Sequence, residues 1–392
     1  MKRQLVVPRP LLGLAILITF SFHSHSLWAE KAQCADVWDR GHLNVVTINL
    51  AFFEIARRDE RLERIADFAD AKAQSGEPID IFLVQEGTAG KLVGTGGSPK
   101  DLRDKLQTRG LLYDQRTAMS TGVPGILTVG NAILSRCEID FSASKLLPAT
   151  FEQIEIEDVG RLAMPITRNV MMVRLKIPGA SRDYRRINIY NTHLCTGGSS
   201  SIVYEGINIS ASGCSVDQRQ HQLASLLKFV TAAERVFSFF GVKPHILGGD
   251  FNMDNFRGGE PGQFGNEKPL YDSVTGAGFI DAYAQSQMDK DIPLQALCVR
   301  TADLFAPLPD HPDLYQAWEP DEHCTTGVSF LDQSGPFPEF FDSTPRRIDY
   351  VFTKGFGVEQ GEVIFNPNAS PPRPHEPIVS DHAGVSVRLS LQ

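Results

Sequence analysis

The sequence predicts an α/β fold, and two observations carry the prediction. Short apolar runs rich in Val and Ile recur along the chain, most of them ending in a polar residue, and amphipathic helical stretches lie among them. The runs are Leu43 to Leu50, Ile79 to Gln85, Ile126 to Ser135, Asn169 to Ile177, Arg186 to His193, His245 to Phe251, Ile348 to Thr353 and Ala383 to Leu389, each of strand length. Two helices are clear. Across Asp59 to Ala73, Leu62, Ile65, Ala66 and Ala69 share a face, and Gly76 follows as a stop. Across Val216 to Phe240, Leu223, Leu226, Leu227, Val230 and Phe237 form a second stripe, and Gly241 ends it.

The chain has 392 residues, a net charge of −9 and a composition 42% hydrophobic and 22% charged, which is that of a globular protein. Lys2, Arg3 and Arg9 precede an apolar run from Leu11 to Phe22 and small residues at Ser24, Ser26 and Ala29, the order of a secretory signal. The run is shorter than the roughly 20 residues that span a bilayer. Cleavage is expected after Ser26 or Ala29, with an uncleaved N-terminal anchor as the alternative. No later segment reads as a membrane helix. The expected organisation is a signal peptide over 1–29 and a single domain over 30–392, acting as a monomer and secreted or periplasmic, with an insertion at about 285–345. Without the three N-terminal cations the net charge falls from −9 to −12. That excludes the overall positive field of a nucleic-acid coat protein but not local contact with DNA.

Cys34, Cys137, Cys195, Cys214, Cys298 and Cys324 make an even set in an exported chain, which points to disulfides. Proximity favours Cys195 with Cys214 and Cys298 with Cys324, leaving Cys34 for Cys137. A zinc site using His193, Cys195 and His221 is the alternative, and no CxxC pair supports it. Gly87 to Pro99 lacks the GK[ST] ending of a phosphate-binding loop and reads as a surface loop.

Chemistry gathers where the apolar runs end. TINL carries Asn49, LVQE carries Glu86, NTHL carries His193 and GGDFNMD carries Asp250 and Asn252; RRIDYVF carries Asp349 and SDHAGV carries Asp381 and His382. Carboxylates and amide oxygens without thiolates suit a hard cation such as magnesium. Histidines exchange protons near neutrality, so a histidine–carboxylate pair beside such a cation points to metal-assisted hydrolysis of a phosphate ester.

The ordered set TINL, VQE, GNAILSR, NTHL, GGDFN, RIDYVF and SDH resembles the endonuclease/exonuclease/phosphatase superfamily, which includes DNase I and neutral sphingomyelinases, over Leu43 to Leu391. The resemblance implies a four-layer α/β/β/α sandwich of two mostly antiparallel sheets flanked by helices, with the site at one end. It implies a metal-dependent phosphoric ester hydrolase using Mg2+, or Mn2+ or Ca2+. Glu86 would be the principal metal ligand, Asn49 a ligand or supporting group, and Asp381 a support on the metal side. His382 would be the general base oriented by Asp349, Asp250 and Asn252 would position water and phosphoryl oxygens, and His193 would bond a phosphoryl oxygen. The proton goes to His382 rather than Asp250 because a carboxylate would need a large upward shift to act near neutrality. Arg168 lies where similar proteins place a phosphate-contacting base, and an ordinary surface arginine is the other reading.

The catalytic set leaves the substrate open. A lipid phosphodiesterase of the sphingomyelinase or phospholipase C kind, in peripheral contact with a membrane, competes with a secreted nuclease like DNase I. A phosphomonoesterase and a catalytically dead binding protein stand further off. The acid excess, the 24 phenylalanines and the run of Phe330, Phe337, Phe340 and Phe341 near Pro336 and Pro338 favour the lipid; Arg182, Arg185 and Arg186 offer a local strip for DNA.

Overall fold

The computed structural model describes residues 34–50, 58–89, 97–123, 127–156, 160–197, 199–204, 207–238, 244–254, 267–292, 307–308, 311–315, 323–325, 346–366, 379–380 and 382–391. The expected export segment, Gly241, Cys298, Asp381 and the four phenylalanines of the insertion lie outside these residues. In chain order the elements are α1 (Asp36–Arg40), β1 (His42–Asn49), α2 (Arg58–Gln74), β2 (Ile81–Ala89), α3 (Ser98–Thr108), β3 (Asp114–Val123), β4 (Leu127–Ser135), β5 (Glu138–Leu146), β6 (Thr150–Ile156), β7 (Gly160–Ile166), β8 (Asn169–Lys176) and β9 (Arg186–His193). They continue with β10 (Ser199–Tyr204), β11 (Ile207–Ser212), α4 (Val216–Ser238), β12 (His245–Asp250), α5 (Lys268–Gly276), β13 (Ile280–Asp281), α6 (Ala282–Met288), β14 (Pro307–Leu308), β15 (His311–Tyr315), β16 (Asp349–Lys354), β17 (Gly357–Ile364) and β18 (Gly384–Ser390).

Two six-stranded sheets, β17-β18-β1-β2-β4-β3 and β13-β16-β12-β9-β8-β5, form the frame. In the first only β1 and β2 pair in parallel, and in the second only β9 and β12 do. The runs legible as strands are the interior ones, and each sheet's edges, β17, β3, β13 and β5, are the strands the hydrophobic pattern misses. Interior strands are covered on both faces, so they are continuously apolar. In β1, Val45 packs between the sheets whereas Val46 and Ile48 face α2 and α3. An edge strand needs little apolar surface: β5 and β17 are largely half-buried or exposed.

Three apolar layers hold this sandwich. Between the sheets lie Leu43, Val45, Ile81 and Leu83 against Val173, Ile189, Ile246 and Val351. Leu62, Ile65, Ala66, Leu102 and Leu106 of α2 and α3 cover the outer face of the first sheet. Leu223, Leu226 and Val230 of α4, with Leu270 and Val274 of α5, cover the second. The four-layer α/β/β/α arrangement is therefore present. The two ends of the Gly87 to Pro99 stretch depart from its reading as a surface loop, and residues 90–96 lie outside the described residues: Gly87 and Thr88 belong to β2 and are buried, and Ser98 and Pro99 are buried in the first turn of α3. Gly87 stays small because a Cβ there would meet the Pro99 ring.

Disulfides join Cys34 to Cys137 and Cys195 to Cys214, as proximity proposed. Cys324 is also disulfide-bonded. The first bridge closes a separation of 103 residues, a closure worth on the order of 4–5 kcal/mol on the chain-entropy account.

Two glycines let β12 carry its terminal aspartate. A Cβ at Gly248 would lie 2.5 Å from Leu83 Cδ1 of the facing sheet, and one at Gly249, whose φ is 135°, would collide with the Thr192 carbonyl. Replacing Gly249→Ala is expected to cost about 2–4 kcal/mol through strain and overpacking, read from urea denaturation. An unchanged midpoint would contradict this account of the GGD sequence. On the same strand His245 is buried, stacks on Tyr190 and lies 3.7 Å from Glu234 Oε1. Burial first, and Lys354 second, pull its imidazole down to about 4 against the attraction of Glu234. Its folded pKa lies below the unfolded value near 6.5, so the unfolded chain binds the extra proton and stability falls as pH drops from about 6.5 to about 4. Thermal unfolding of His245→Gln should show a shallower decline across that window than the wild type; a parallel decline would remove His245 as its source.

Candidate active site

The topology brings the polar strand ends to one end of the sandwich. The parallel pairing of β1 and β2 ends at Asn49 and Gln85, with Glu86 next in β2, and parallel β9 and β12 finish with His193 and Asp250. β16 runs antiparallel to β12 and starts with Asp349 opposite Asp250, while β18 starts just after His382. Local backbone turns then aim the groups. Glu86 has a φ of 53° where the β2–β4 pairing slips between Val84 and Gly87, a bulge that re-aims its side chain. Asn252 has a φ of 48°, and its backbone N–H donates to Asp250 Oδ1 at 2.9 Å, an Asx-type turn. Its Nδ2 donates to Leu194 O at 3.1 Å, tying that turn to the end of β9.

Asp250 is the hub. Its Oδ2 accepts from Asn49 Nδ2 at 3.0 Å and faces His193 Nε2 at 3.4 Å and His382 Nε2 at 3.9 Å. His382 Nδ1 donates to Asp349 Oδ2 at 2.8 Å, which makes Nε2 the basic nitrogen of the neutral ring. Arg168 Nη1 donates to His193 Nδ1 at 3.2 Å, so the neutral His193 carries its proton on Nε2, toward Asp250. Glu86 Oε1 is 3.9 Å from His193 Nδ1. The sequence-predicted Asn49, Glu86, His193, Asp250, Asn252, Asp349 and His382 thus adjoin one another, and Arg168 joins them.

Burial sets the proton affinities. Asp250 is raised to about 7, first by burial and then by the charge of Asp349, against the pull of His382, Asn49 and the Asn252 N–H. The ordinary carboxylate range therefore no longer separates Asp250 from His382 as the proton acceptor. His193 is held well below its usual value, by burial and then by the Arg168 and His382 charges, so it enters the site neutral.

Sequence reasoning missed the polar layer beneath these groups. Gln85 Nε2 donates to Asn191 Oδ1 at 2.7 Å across the sheets, and Asn191 Nδ2 donates to Val84 O and Ala132 O. Asn131 Nδ2 donates to Asn169 Oδ1 at 2.8 Å, and Thr192 Oγ1 to Asn169 O at 3.1 Å. These bonds lock the two sheets in register below the site. Gln85 and Asn191 sit inside the VQE and NTH sequences already singled out, and that was the available signal. Arg347 bonds buried Asp281 at 2.6 Å.

A divalent cation fits this donor set. Asp250, Asp349 and His382 have ligand atoms within 4.8 Å of one another, and Asp349 Oδ1 is buried without a hydrogen-bond partner among the described residues. Two repelling buried carboxylates, oxygen donors and no thiolate are surroundings that a hard cation satisfies. Glu86, the ligand expected from the sequence, lies beside this group and not in it, 3.9 Å from His193 Nδ1 and just past the point where the β1–β2 pairing ends at Asn49 and Gln85.

No family model and no curated protein matches the chain. Solved structures do. An endonuclease/exonuclease/phosphatase from Beutenbergia cavernae DSM 12333 aligns with a TM-score of 0.52 and 19% identity over 90% of this chain and 72% of its own. An endonuclease/exonuclease/phosphatase family protein from Leptotrichia buccalis C-1013-b aligns with a TM-score of 0.49 and 18% identity over 89% of this chain and all of its own (100%). The strand order, the three apolar layers and the first of these likenesses agree that the chain has the endonuclease/exonuclease/phosphatase fold.

Proposed function

We propose that the protein is an exported, divalent-metal-dependent phosphodiesterase, with its catalytic domain over 30–392 and its substrate a phospholipid. The observation that carries the hydrolase reading is the contact set of Asp250, with His193, His382 and Asn49 around one buried carboxylate and Asp349 holding the far side of His382. Glu86, with Asn49 and, on the sequence motif, Asp381, would hold a cation such as magnesium, which would supply charge stabilisation at the phosphoryl oxygens. The chain's own residues handle the proton. Water attacks phosphorus, its proton passes to the Asp250–His382 pair, whose Oδ2 and Nε2 are 3.9 Å apart, and the phosphorus bond to the leaving alkoxide breaks. His193 Nε2–H and the Arg168 guanidinium stand beside that pair as donors to the phosphoryl group.

The lipid reading draws on a four-stranded antiparallel sheet, β10-β11-β6-β7. Its backbone register pairs β6 with β7 and with β11, and β11 with β10, all antiparallel, and the sequences of these strands carry Ile154, Ile156, Leu162, Met164, Ile202 and Ile209. The chain enters Arg168 from β7 and leaves His193 toward β10, so this sheet is joined in sequence to two residues of the site. The basic strip that spoke for DNA lies elsewhere. Arg186 starts β9 and His193 ends it, roughly 23 Å away at strand rise, and Arg186 is bonded to Asp140 at 2.9 Å. No helix among the described residues is long and apolar enough to cross a membrane.

Magnesium at millimolar concentration should raise the thermal midpoint of the wild type by mass action, and Glu86→Gln should abolish the rise. Equal shifts in both proteins would remove Glu86 from the metal site. His382→Ala should lower kcat on bis(p-nitrophenyl) phosphate by about 10²–10⁴-fold, and EDTA should stop the wild type; full activity in either case would sink the mechanism. Offered phosphatidylcholine or sphingomyelin vesicles in one reaction and plasmid DNA in another, the protein should release phosphocholine and leave the plasmid intact. Nicking without phosphocholine release would select the nuclease instead.

A further inference from the structure

Asp349 and His382 are 33 residues apart in sequence, and the segments bearing them meet at a third. Thr325 is fully buried there. Its backbone N–H donates to Arg346 O at 2.9 Å, and its carbonyl accepts the Ala383 N–H at 2.8 Å. Its Oγ1 accepts the N–H groups of Ile348 at 3.0 Å and of Asp349 at 3.1 Å, while the hydroxyl donates toward Arg346 O at 3.5 Å. One residue thus bonds the approach to Asp349, Asp349 itself and the residue after His382. Thr325 is anchored from its own side as well, since Cys324 is disulfide-bonded and His323 Nδ1 bonds the Tyr283 hydroxyl.

We propose that Thr325 is a positioning residue for hydrolysis, setting the Asp349 carboxylate against His382 through the backbone bonds of its hydroxyl and carbonyl; the proposal rests on the hydrolase reading of that pair. The backbone bonds of N–H and carbonyl are open to valine, serine or alanine as well, whereas the hydroxyl can be removed. Without it the N–H groups of Ile348 and Asp349 lose their acceptor in a buried setting, and the start of β16 must move to find another. A displacement of even an ångström at a catalytic pair is enough to slow chemistry while leaving substrate binding intact. The residue lies in the long insertion, which consequently contributes to the site instead of merely decorating it.

The test compares Thr325→Val, which keeps the shape, with Thr325→Ser, which keeps the hydroxyl; Thr325→Ala accompanies them should the valine variant fail to fold. On bis(p-nitrophenyl) phosphate with magnesium, kcat should fall about 10–100-fold in Thr325→Val with KM within about twofold, and the serine variant should stay within about twofold of wild type. A second reading needs no turnover. In 15N-histidine-labelled protein the His382 Nδ1–H resonance, assigned by its loss in His382→Gln, should persist in wild type and Thr325→Ser and shift or vanish in Thr325→Val. A valine variant with unchanged kcat and resonance, or a serine variant that behaves like valine, overturns the proposal. If the wild type hydrolyses no phosphodiester, the hydrolase reading falls, while the resonance comparison still decides whether Thr325 holds the pair.

Discussion

Everything at the functional end of this protein is arranged around one buried carboxylate. Asp250 is 1% exposed and faces a second buried acid, Asp349, across paired strands. Such a group is costly to bury charged unless it is paired and hydrogen-bonded. Its partners supply that: an amide from β1, a backbone N–H from its own turn, and two imidazoles. The residual cost appears as a proton affinity raised to about 7. Geometry that is expensive for folding is useful for proton transfer, because an acid poised near neutrality both accepts and releases a proton at little driving force.

The frame exists to hold that carboxylate still. Each sheet contains one parallel pair, so the carboxyl ends of two strands lie side by side in each, and the antiparallel neighbours β16 and β18 begin where those strands finish. Gly248 lets the facing sheet approach and Gly249 turns the backbone just before Asp250. Beneath, Gln85, Asn191, Asn131 and Asn169 replace apolar contact between the sheets with hydrogen bonds of fixed geometry. A fully satisfied polar layer of this kind specifies one register where apolar packing would tolerate several.

The interior of both sheets and most of the site were legible in the sequence, for one physical reason. Interior strands are apolar on both faces, so a polar residue at their end stands out, and Asn49, Glu86, His193, Asp250, Asp349 and His382 all do. The edge strands β3, β5, β13 and β17 escaped because they are short or carry polar residues on solvent-facing sides, where no hydrophobic period is required. The ends of the Gly87 to Pro99 stretch were misread because Gly87 serves close packing on Pro99 rather than a loop. Other features have no local signature. The Arg168–His193 bond and the role of Thr325 join segments 21 and more residues apart, and the raised affinity of Asp250 belongs to its surroundings. Arg186 looked like part of a basic strip for DNA until the length of β9 separated it from the site.

In the proposed mechanism these groups direct water onto phosphorus. Hydrolysis of bis(p-nitrophenyl) phosphate in 18O-labelled water, with the products analysed by mass spectrometry, tests it most directly. The arrangement around Asp250 and His382 predicts one 18O in the phosphate monoester and none in the p-nitrophenol. Label in the phenol, or the absence of turnover with magnesium present, would contradict it.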